Sequence, residues 1–222
     1  MGKKKPRVLD YLFSEKTNKY YRLLEIPGDL PCLEIAGIRM HCVKEGIKGT
    51  IKEMVSSLKP LKGKVLDCCF GLGYATIEIG KSDYVEEVFS FENDNAVLEI
   101  AKKNEESREA FENPKIKVKK GDISEEIKKI EDNYFDSILH DPPSIRIAGE
   151  LYSANFYKEL YRVLKDEGKL FHYLGKPFSG RGIDISKGVK KRLKEAGFEG
   201  IHEKKQAMGL IAVKKKPMKR VI

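Results

Sequence analysis

Between residues 64 and 214 the chain alternates short apolar, β-prone runs with stretches whose apolar positions recur every three or four residues. This alternation predicts an α/β fold, with a doubly wound, mostly parallel sheet and helices on both faces. Because the last two strands form a hairpin-like pair, we expect the final strand to insert antiparallel. The predicted strands are 64–69, 87–92, 116–119, 136–140, 169–174, 200–203 and 209–214, which makes a seven-stranded sheet, and the predicted helices are 75–80, 96–104, 153–164 and 185–196.

The N-terminal part of the chain follows a different pattern. Residues 1–20 are basic and then mixed, with few periodic apolar positions, and we predict a loose arm or a short helix there. Residues 32–43 alternate around Gly37 as the two strands of a hairpin do, and an apolar helical face follows. We therefore divide the chain into an N-terminal extension with a small β-hairpin, 1–58, and a main domain, 59–222.

Composition narrows the cellular setting. Charged residues make up 35% of the chain, hydrophobic residues 41%, and Gln206 is the only glutamine, a balance that hints at a thermophilic source. No run approaches the ~20 apolar residues of a membrane span, and the basic N-terminus lacks an apolar signal segment. None of the 4 cysteines forms a C-x-x-C pair. We expect free thiols, no metal site and a cytoplasmic protein.

The net charge of +9 is concentrated at one end of the chain. Residues 181–222 hold 13 basic and 4 acidic residues, which accounts for the whole surplus, whereas residues 1–180 are balanced. Clustered basic charge attracts phosphates and points to RNA as a partner. A solvated, lysine-rich surface explains the same composition, and both explanations stay open. We expect a monomer or a homodimer.

A strand, a tight loop and a helix follow one another from residue 65 to residue 80. The apolar run ends at Asp67, and the turn after it contains Gly71 and Gly73. Glycine lets the backbone approach a nucleotide-like ligand, because a Cβ would push the ligand away. A plain tight turn would use the same glycines. We predict that the loop binds a ligand through Asp67, Cys69, Gly71, Gly73 and Tyr74.

Three further acidic residues lie at the ends of predicted strands, where ligands bind in open parallel sheets. Glu92, with Asn93 beside it, suits a ribose diol, because a carboxylate can accept two hydrogen bonds. Asp122 suits an adenine amino group, with Ile123 against the ring. Both carboxylates also fit the N-cap of the following helix, so a structural role stays open. The third acidic residue is Asp141.

Asp141 is followed by Pro142 and Pro143, which fix an extended backbone and have no N–H. Asp141 and a proline carbonyl would hold an NH₂ group by both hydrogens and aim its lone pair, although the prolines could simply end a strand. We predict Asp141, Pro142 and Pro143 as the catalytic residues. We expect the substrate near Ser144, His172, Tyr173, Lys176 and Arg181.

As an ordered set, these motifs resemble those of the class I S-adenosylmethionine-dependent methyltransferases. The resemblance covers about residues 60–215 and implies a Rossmann-like fold with S-adenosyl-L-methionine as the cofactor. The Asp-Pro-Pro segment is similar to that of the branch that methylates exocyclic or amide nitrogens. The chain also resembles a set of little-characterised archaeal methyltransferases.

Two positions depart from the methyltransferase pattern. Cys69 stands where the first loop usually has a third glycine. Ser144 stands where an aromatic residue normally stacks on a base, and stacking contributes ~1–3 kcal/mol per base. Another ring would have to replace it, and the candidates are Tyr74, His172 and Tyr173.

From these motifs we predict an S-adenosylmethionine-dependent methyltransferase that modifies an amino nitrogen, with RNA as the favoured acceptor. The alternative is a small-molecule transferase of the same fold, either a methyltransferase or an aminopropyltransferase similar to spermidine synthase. That family also has a small N-terminal β unit before the sheet, although the first loop here lacks its glycine-rich run. A third hypothesis is a non-catalytic binding module that has kept the cofactor pocket.

Overall fold

The computed structural model describes residues 6–41, 43–175 and 185–216. Within these ranges the strands are β1 Val8–Ser14, β2 Lys19–Leu24, β3 Cys32–Ile35, β4 Ile38–Arg39, β5 Gly63–Asp67, β6 Val85–Glu92, β7 Ile116–Lys120, β8 Phe135–His140, β9 Leu164–Tyr173, β10 Glu199–Lys204 and β11 Gly209–Val213. The α-helices are α1 Ile47–Ser56, α2 Tyr74–Gly80, α3 Asn95–Lys103, α4 Arg108–Glu112, α5 Ile123–Glu126, α6 Ala154–Val163 and α7 Ile185–Ala196. In the described ranges, none of the helices has the length and apolar character needed to cross a membrane.

The larger of two sheets has seven strands in the order β10-β11-β9-β8-β5-β6-β7. The five strands from β5 to β9 are mutually parallel, and β11 lies antiparallel between β9 and β10. The predicted mostly parallel seven-stranded sheet with an antiparallel insertion is therefore confirmed. The strand order reverses between β5 and β8, and such a reversal opens a crevice at the carboxyl ends of the two strands.

Helices cover both faces of the larger sheet, which explains why its central strands carry buried apolar residues on both faces. Successive residues on a strand point to opposite faces. On β5, Val65 belongs to the core beneath α1, α2 and α3, and Leu66 belongs to the core beneath α6 and α7. Both side chains are fully buried, and burial of each stabilises the fold by about 1.5–3 kcal/mol.

The smaller sheet has four antiparallel strands in the order β1-β2-β3-β4 and comes entirely from the N-terminal part of the chain. The hairpin predicted at residues 32–43 is present as β3 and β4. The prediction of a loose arm or short helix for residues 1–20 is wrong, because β1 and β2 form a second hairpin there. The Tyr21 hydroxyl of β2 donates to the Asp94 carboxylate at 2.5 Å, so the extension is tied to the loop after β6. The proposed division at residues 58 and 59 stays a prediction.

Candidate active site

Three predicted carboxylates meet at the carboxyl ends of β5, β6 and β8, which are parallel neighbours. Asp67 ends β5, Glu92 ends β6, and Asp141 directly follows β8. Cys69 lies among them. The pKa of its thiol is raised by burial first and then by nearby negative charges, those of Glu92, Asp67 and Asp141 among them. The structure thus places the three carboxylates around one crevice.

The loop after β5 is bonded to both neighbouring strands. The Cys68 N–H donates to the Leu139 carbonyl on β8 at 3.0 Å, and the Phe70 N–H donates to the Phe91 carbonyl on β6 at 2.8 Å. These backbone bonds hold the loop across the strand ends, so its position follows from the sheet and not from a ligand.

The Asp67 carboxylate is turned into the protein and is only 1% exposed. One oxygen accepts hydrogen bonds from the hydroxyls of Thr76 on α2 and Ser90 on β6, and the other accepts from the Cys69 N–H at 3.4 Å. Burial raises the pKa of Asp67 to about 6, and the three hydrogen bonds act in the opposite direction. Asp67 therefore anchors the loop from beneath, which is a different position from the ligand-facing one that we predicted.

The Glu92 carboxylate is half-buried and holds two backbone groups. One oxygen accepts from the Gly71 N–H at 3.0 Å and the other from the Asp94 N–H at 2.9 Å. Burial is the largest cause that raises the pKa of Glu92 to about 7. Asp94, and not Glu92, caps α3 by accepting from the Ala96 N–H. Each Glu92 oxygen keeps a second lone pair, which suits the ribose hydroxyls that we predicted.

Asp141 differs from the other two carboxylates because no described residue donates a hydrogen bond to it. Within the described part of the chain, no side chain and no backbone N–H donates a hydrogen bond to its oxygens. It is half-buried. Burial first, and then the negative charge of Asp67, raise the pKa of Asp141 to about 7. A carboxylate in this state is available to a bound molecule and suited to take up a proton near neutral pH.

The Asp-Pro-Pro segment is held by a tyrosine that the sequence did not reveal. The Tyr152 hydroxyl donates to the Pro143 carbonyl at 3.0 Å, so this carbonyl is already engaged and is not wholly available to an acceptor amine. Tyr152 is 4% exposed and precedes α6. The neighbouring Pro142 is buried, while Ser144 is exposed in the turn that follows.

A buried cluster of rings lies behind Asp141. The His140 and His172 rings are 4.4 Å apart, and both residues are fully buried. His140 Nε2 lies 3.0 Å from the Leu151 carbonyl and must donate to it, since a carbonyl only accepts. His172 contacts the Tyr157 hydroxyl at 2.8 Å. Burial lowers the pKa of both histidines, to about 4 for His140, so both rings are neutral and serve as core.

The other predicted ligand residues have mixed positions. Asp122 caps α5, accepting from the Ser124 N–H at 2.9 Å, and Ile123 is 4% exposed in the core. Tyr74 is buried, and its hydroxyl donates to the Pro31 carbonyl at 3.0 Å. Its position therefore ties α2 to the extension, away from a stacking role. Asn93 is exposed beside Glu92, Tyr173 is half-buried at the end of β9, and Lys176 and Arg181 lie outside the described residues.

Replacing Asp141 by asparagine should stabilise the protein at alkaline pH. A carboxyl group whose pKa is about 7 when folded and 3.8 otherwise contributes stability below about pH 4, and the contribution is lost as the pH rises to about 7. Removing the charge should therefore raise the free energy of unfolding at pH 8 by on the order of 2 kcal/mol relative to wild type, a figure reduced for the partial exposure of the group.

Urea unfolding of both proteins at pH 5 and pH 8 measures this difference. The histidines with lowered pKa values make stability rise with pH, the opposite of the Asp141 effect. Their contribution is the same in both proteins, so it cancels when the variant is compared with wild type. A variant that is less stable than wild type at pH 8, or whose difference from wild type does not grow with pH, would contradict the expectation.

The chain is similar to known proteins in sequence and in fold. A family model described as the spermine/spermidine synthase domain matches residues 44–202. An uncharacterised protein of Methanocaldococcus jannaschii is 45% identical over 201 residues, covering 89% of this chain and 68% of that protein. A polyamine aminopropyltransferase of Prochlorococcus marinus is 28% identical over 189 residues, covering 81% and 65%. A spermidine synthase structure from Thermotoga maritima has a TM-score of 0.72 at 23% identity, covering 95% and 73%.

The sheet and its helices define the class of the protein, which is the Rossmann-like fold of the class I S-adenosylmethionine-dependent methyltransferases, so the predicted fold is confirmed. Within that class, the chain belongs to the spermine/spermidine synthase domain family. It spans about two thirds of the length of the two relatives described above.

The prediction of a methyltransferase acting on an amino nitrogen of RNA is wrong, because the family match points to aminopropyl transfer. The finer resemblance to the amino-methylating branch likewise finds no support in this match. The physical reason is that an aspartate and prolines at the end of β8 can position any amine acceptor. These residues do not determine which group the sulfonium donor gives up. The excess of basic residues in 181–222 likewise does not identify RNA as the acceptor.

Proposed function

We propose that this protein transfers an aminopropyl group from decarboxylated S-adenosylmethionine to an amine. The observation that carries the proposal is the state of Asp141, the one carboxylate of the three that no described group engages. Family membership and the name of the Prochlorococcus relative support the same reaction. The aminopropyltransferase was our alternative on sequence grounds, and it now replaces the first interpretation.

The charge of the crevice favours a donor without a carboxylate. Glu92 and Asp141 lie at the crevice and Asp67 lies beneath it. Burial raises the pKa of all three, and a bound cation would favour their charged forms. The decarboxylated donor carries a sulfonium and an ammonium group, so both of its charges are attracted. Intact S-adenosylmethionine would add a carboxylate to a site that already holds like charges, which costs binding free energy.

The described residues fit the nucleoside part of such a donor. Gly71 has a positive φ of 57°, and no described atom beyond its two chain neighbours lies within 4 Å of the position that a Cβ would take, so its backbone faces open space. Glu92 holds the Gly71 N–H and keeps lone pairs for ribose hydroxyls. Asp122 has one oxygen occupied by the cap of α5, which leaves the other for an amino group.

When bound, the sulfonium makes the attached propyl carbon electrophilic and leaves as a neutral thioether. The acceptor nitrogen forms the new C–N bond as the C–S bond breaks, and the electron pair of that bond goes to sulfur. The product ammonium must lose a proton, or the acceptor must lose it before attack. Asp141 would take this proton, because its raised pKa matches a base working near pH 7.

The test offers the protein decarboxylated or intact S-adenosylmethionine together with a panel of amines. We expect methylthioadenosine to be released with the decarboxylated donor, and little S-adenosylhomocysteine with the intact one. S-adenosylhomocysteine as the main product would refute the proposal. Calorimetric binding of the decarboxylated donor without turnover of any amine would favour the non-catalytic binding module instead.

A further inference from the structure

A hollow lies beyond β8, on the side of the crevice away from the nucleoside-binding residues. Its volume is about 1350 Å³, and it lies between the loop after β4, the end of β9 and the hairpin of β10 and β11. His140 and His172 are register partners on β8 and β9, so Asp141 and Tyr173 follow them at the same edge of the sheet. Tyr173 lines the hollow. The space therefore begins one strand away from Asp141, and we call it the β9–β11 cavity.

The position of the β9–β11 cavity suits the acceptor. The residues that fit the donor, Glu92 and Asp122, lie at the ends of β6 and β7, beyond β5. The cavity lies beyond β8 on the opposite side. An acceptor in it would approach Asp141 from the side that the donor leaves open. This assignment rests on the proposed function.

The charge of the cavity is unlike that of the donor crevice. Among its described lining residues there are four basic side chains and two acidic ones. The basic residues are Arg39, Lys44, Lys204 and Lys205, and the acidic residues are Glu45 and Glu203. Glu203 pairs with Lys190 at 2.7 Å, and Arg39 lies 4.0 Å from the Glu34 carboxylate, so partners outside the cavity offset one charge of each sign. The remaining basic residues are Lys44, Lys204 and Lys205, against Glu45. A second ammonium group would meet a surplus of like charge here.

The walls of the cavity are largely apolar between these charges. Met40, Val43, Leu174, Met208 and Leu210 contribute to the lining. An alkyl chain buries well against such side chains, because each CH₂ group that it removes from water stabilises binding. The cavity is also larger than the roughly 300–1000 Å³ typical of small-molecule sites. The occupant is therefore expected to be longer than the amine alone.

We propose that the β9–β11 cavity holds the acceptor, and that the acceptor is a primary amine with an anionic group, a carboxylate or a phosphate, at the far end of an alkyl chain. The amino group would reach Asp141, the chain would lie along the apolar wall, and the anion would meet the basic residues. A plain diamine satisfies the first two conditions and not the third.

Matched acceptors test this assignment. A diamine, an amino acid with its amino group at the end of the chain, and an aminoalkyl phosphate are compared at equal chain length with decarboxylated S-adenosylmethionine. We expect kcat/KM for at least one anionic amine to exceed that for the diamine at least 10-fold, a difference of about 1.4 kcal/mol. The two anionic amines distinguish carboxylate from phosphate recognition. A diamine that is used as well as both of them would overturn the proposal.

A double variant locates the recognition. Lys204→Gln with Lys205→Gln should reduce kcat/KM for the anionic amine at least 10-fold and raise kcat/KM for the diamine, because fewer like charges then face its second ammonium group. Lys191→Gln with Lys194→Gln is the control, since it removes the same charge from α7 residues that do not line the cavity. An unchanged preference in the Lys204 and Lys205 variant would refute the role of the basic residues.

A binding measurement separates this proposal from the proposed function. Calorimetry with protein saturated with methylthioadenosine should give heat for the anionic amine, and a weaker signal for the Lys204 and Lys205 variant. Absence of methylthioadenosine release with every acceptor would defeat the proposed function. Absence of binding by both anionic amines would defeat the acceptor assignment, whatever the activity.

Discussion

Replacing Asp141 by asparagine is expected to lower kcat/KM for aminopropyl transfer by about 10²–10⁴-fold, the usual contribution of a general base. Asparagine keeps the shape of the side chain and can still accept a hydrogen bond from the acceptor amine, but it cannot take up the proton. The loss should fall mainly on kcat, since the donor is held by other residues. Initial rates of methylthioadenosine release measure the effect.

The pH dependence of kcat/KM shows whether this loss arises because Asp141 no longer takes up a proton. In the wild-type protein kcat/KM should rise as the pH increases through about 7, because Asp141 must be ionised to act as a base. In the variant this rise should be absent, and only the deprotonation of the free amine at higher pH should remain. A variant that keeps the rise near pH 7 would show that another group is the base.

Asp136 offers a matched control on the same strand. It lies at the opposite end of β8, where its carboxylate accepts from the Lys64 N–H at 2.9 Å and from the Lys165 ammonium at 2.7 Å. Asp136→Asn should lower the free energy of unfolding by up to about 1 kcal/mol, because it weakens the ion pair with Lys165. It should leave kcat/KM within a factor of about 3, because Asp136 lies at the end of β8 away from the crevice. Equal losses of activity in the two variants would mean that Asp141 acts only through the fold.

The larger sheet could be predicted from sequence because its strands are buried on both faces. A run such as Val65-Leu66 is apolar throughout, and the helices between the strands carry a clear apolar stripe. The β1–β2 hairpin lacks that signal. Tyr11 and Tyr20 are 70% and 61% exposed, so aromatic residues face solvent while Asp10 faces inward. Only strand pairing, which the sequence does not display, reveals this hairpin.

The convergence of three carboxylates could be predicted, but their roles could not. Parallel strands bring their carboxyl ends to one edge, so strand ends alone place Asp67, Glu92 and Asp141 together. That Asp67 is engaged by Thr76 and Ser90 depends on how α2 and β6 pack on β5. Asp141 is recognised as the available carboxylate only once the hydrogen bonds of the other two are known.

The two glycines of the first loop are expected to respond oppositely to alanine. Both have positive φ, 57° for Gly71 and 77° for Gly73, which costs an alanine about 1–2 kcal/mol. A Cβ at Gly73 would also lie 2.6 Å from the Phe70 ring and 3.1 Å from Ala110. Phe70 is 4% exposed, so its ring has little room to move, and overpacking adds about 1–3 kcal/mol.

Gly73→Ala should therefore lower the free energy of unfolding by about 2–5 kcal/mol, and Gly71→Ala by about 1–2 kcal/mol. For donor binding the order is reversed, and Gly71→Ala is expected to have the larger effect. A Cβ at Gly71 enters the open space over the loop, where the nucleoside would lie, and should weaken donor binding at least 10-fold, or about 1.4 kcal/mol. Urea unfolding and calorimetry measure the two effects. Unimpaired donor binding by Gly71→Ala would mean that the donor does not pass over this loop, because no described side chain beyond the neighbours of Gly71 would contact the added Cβ.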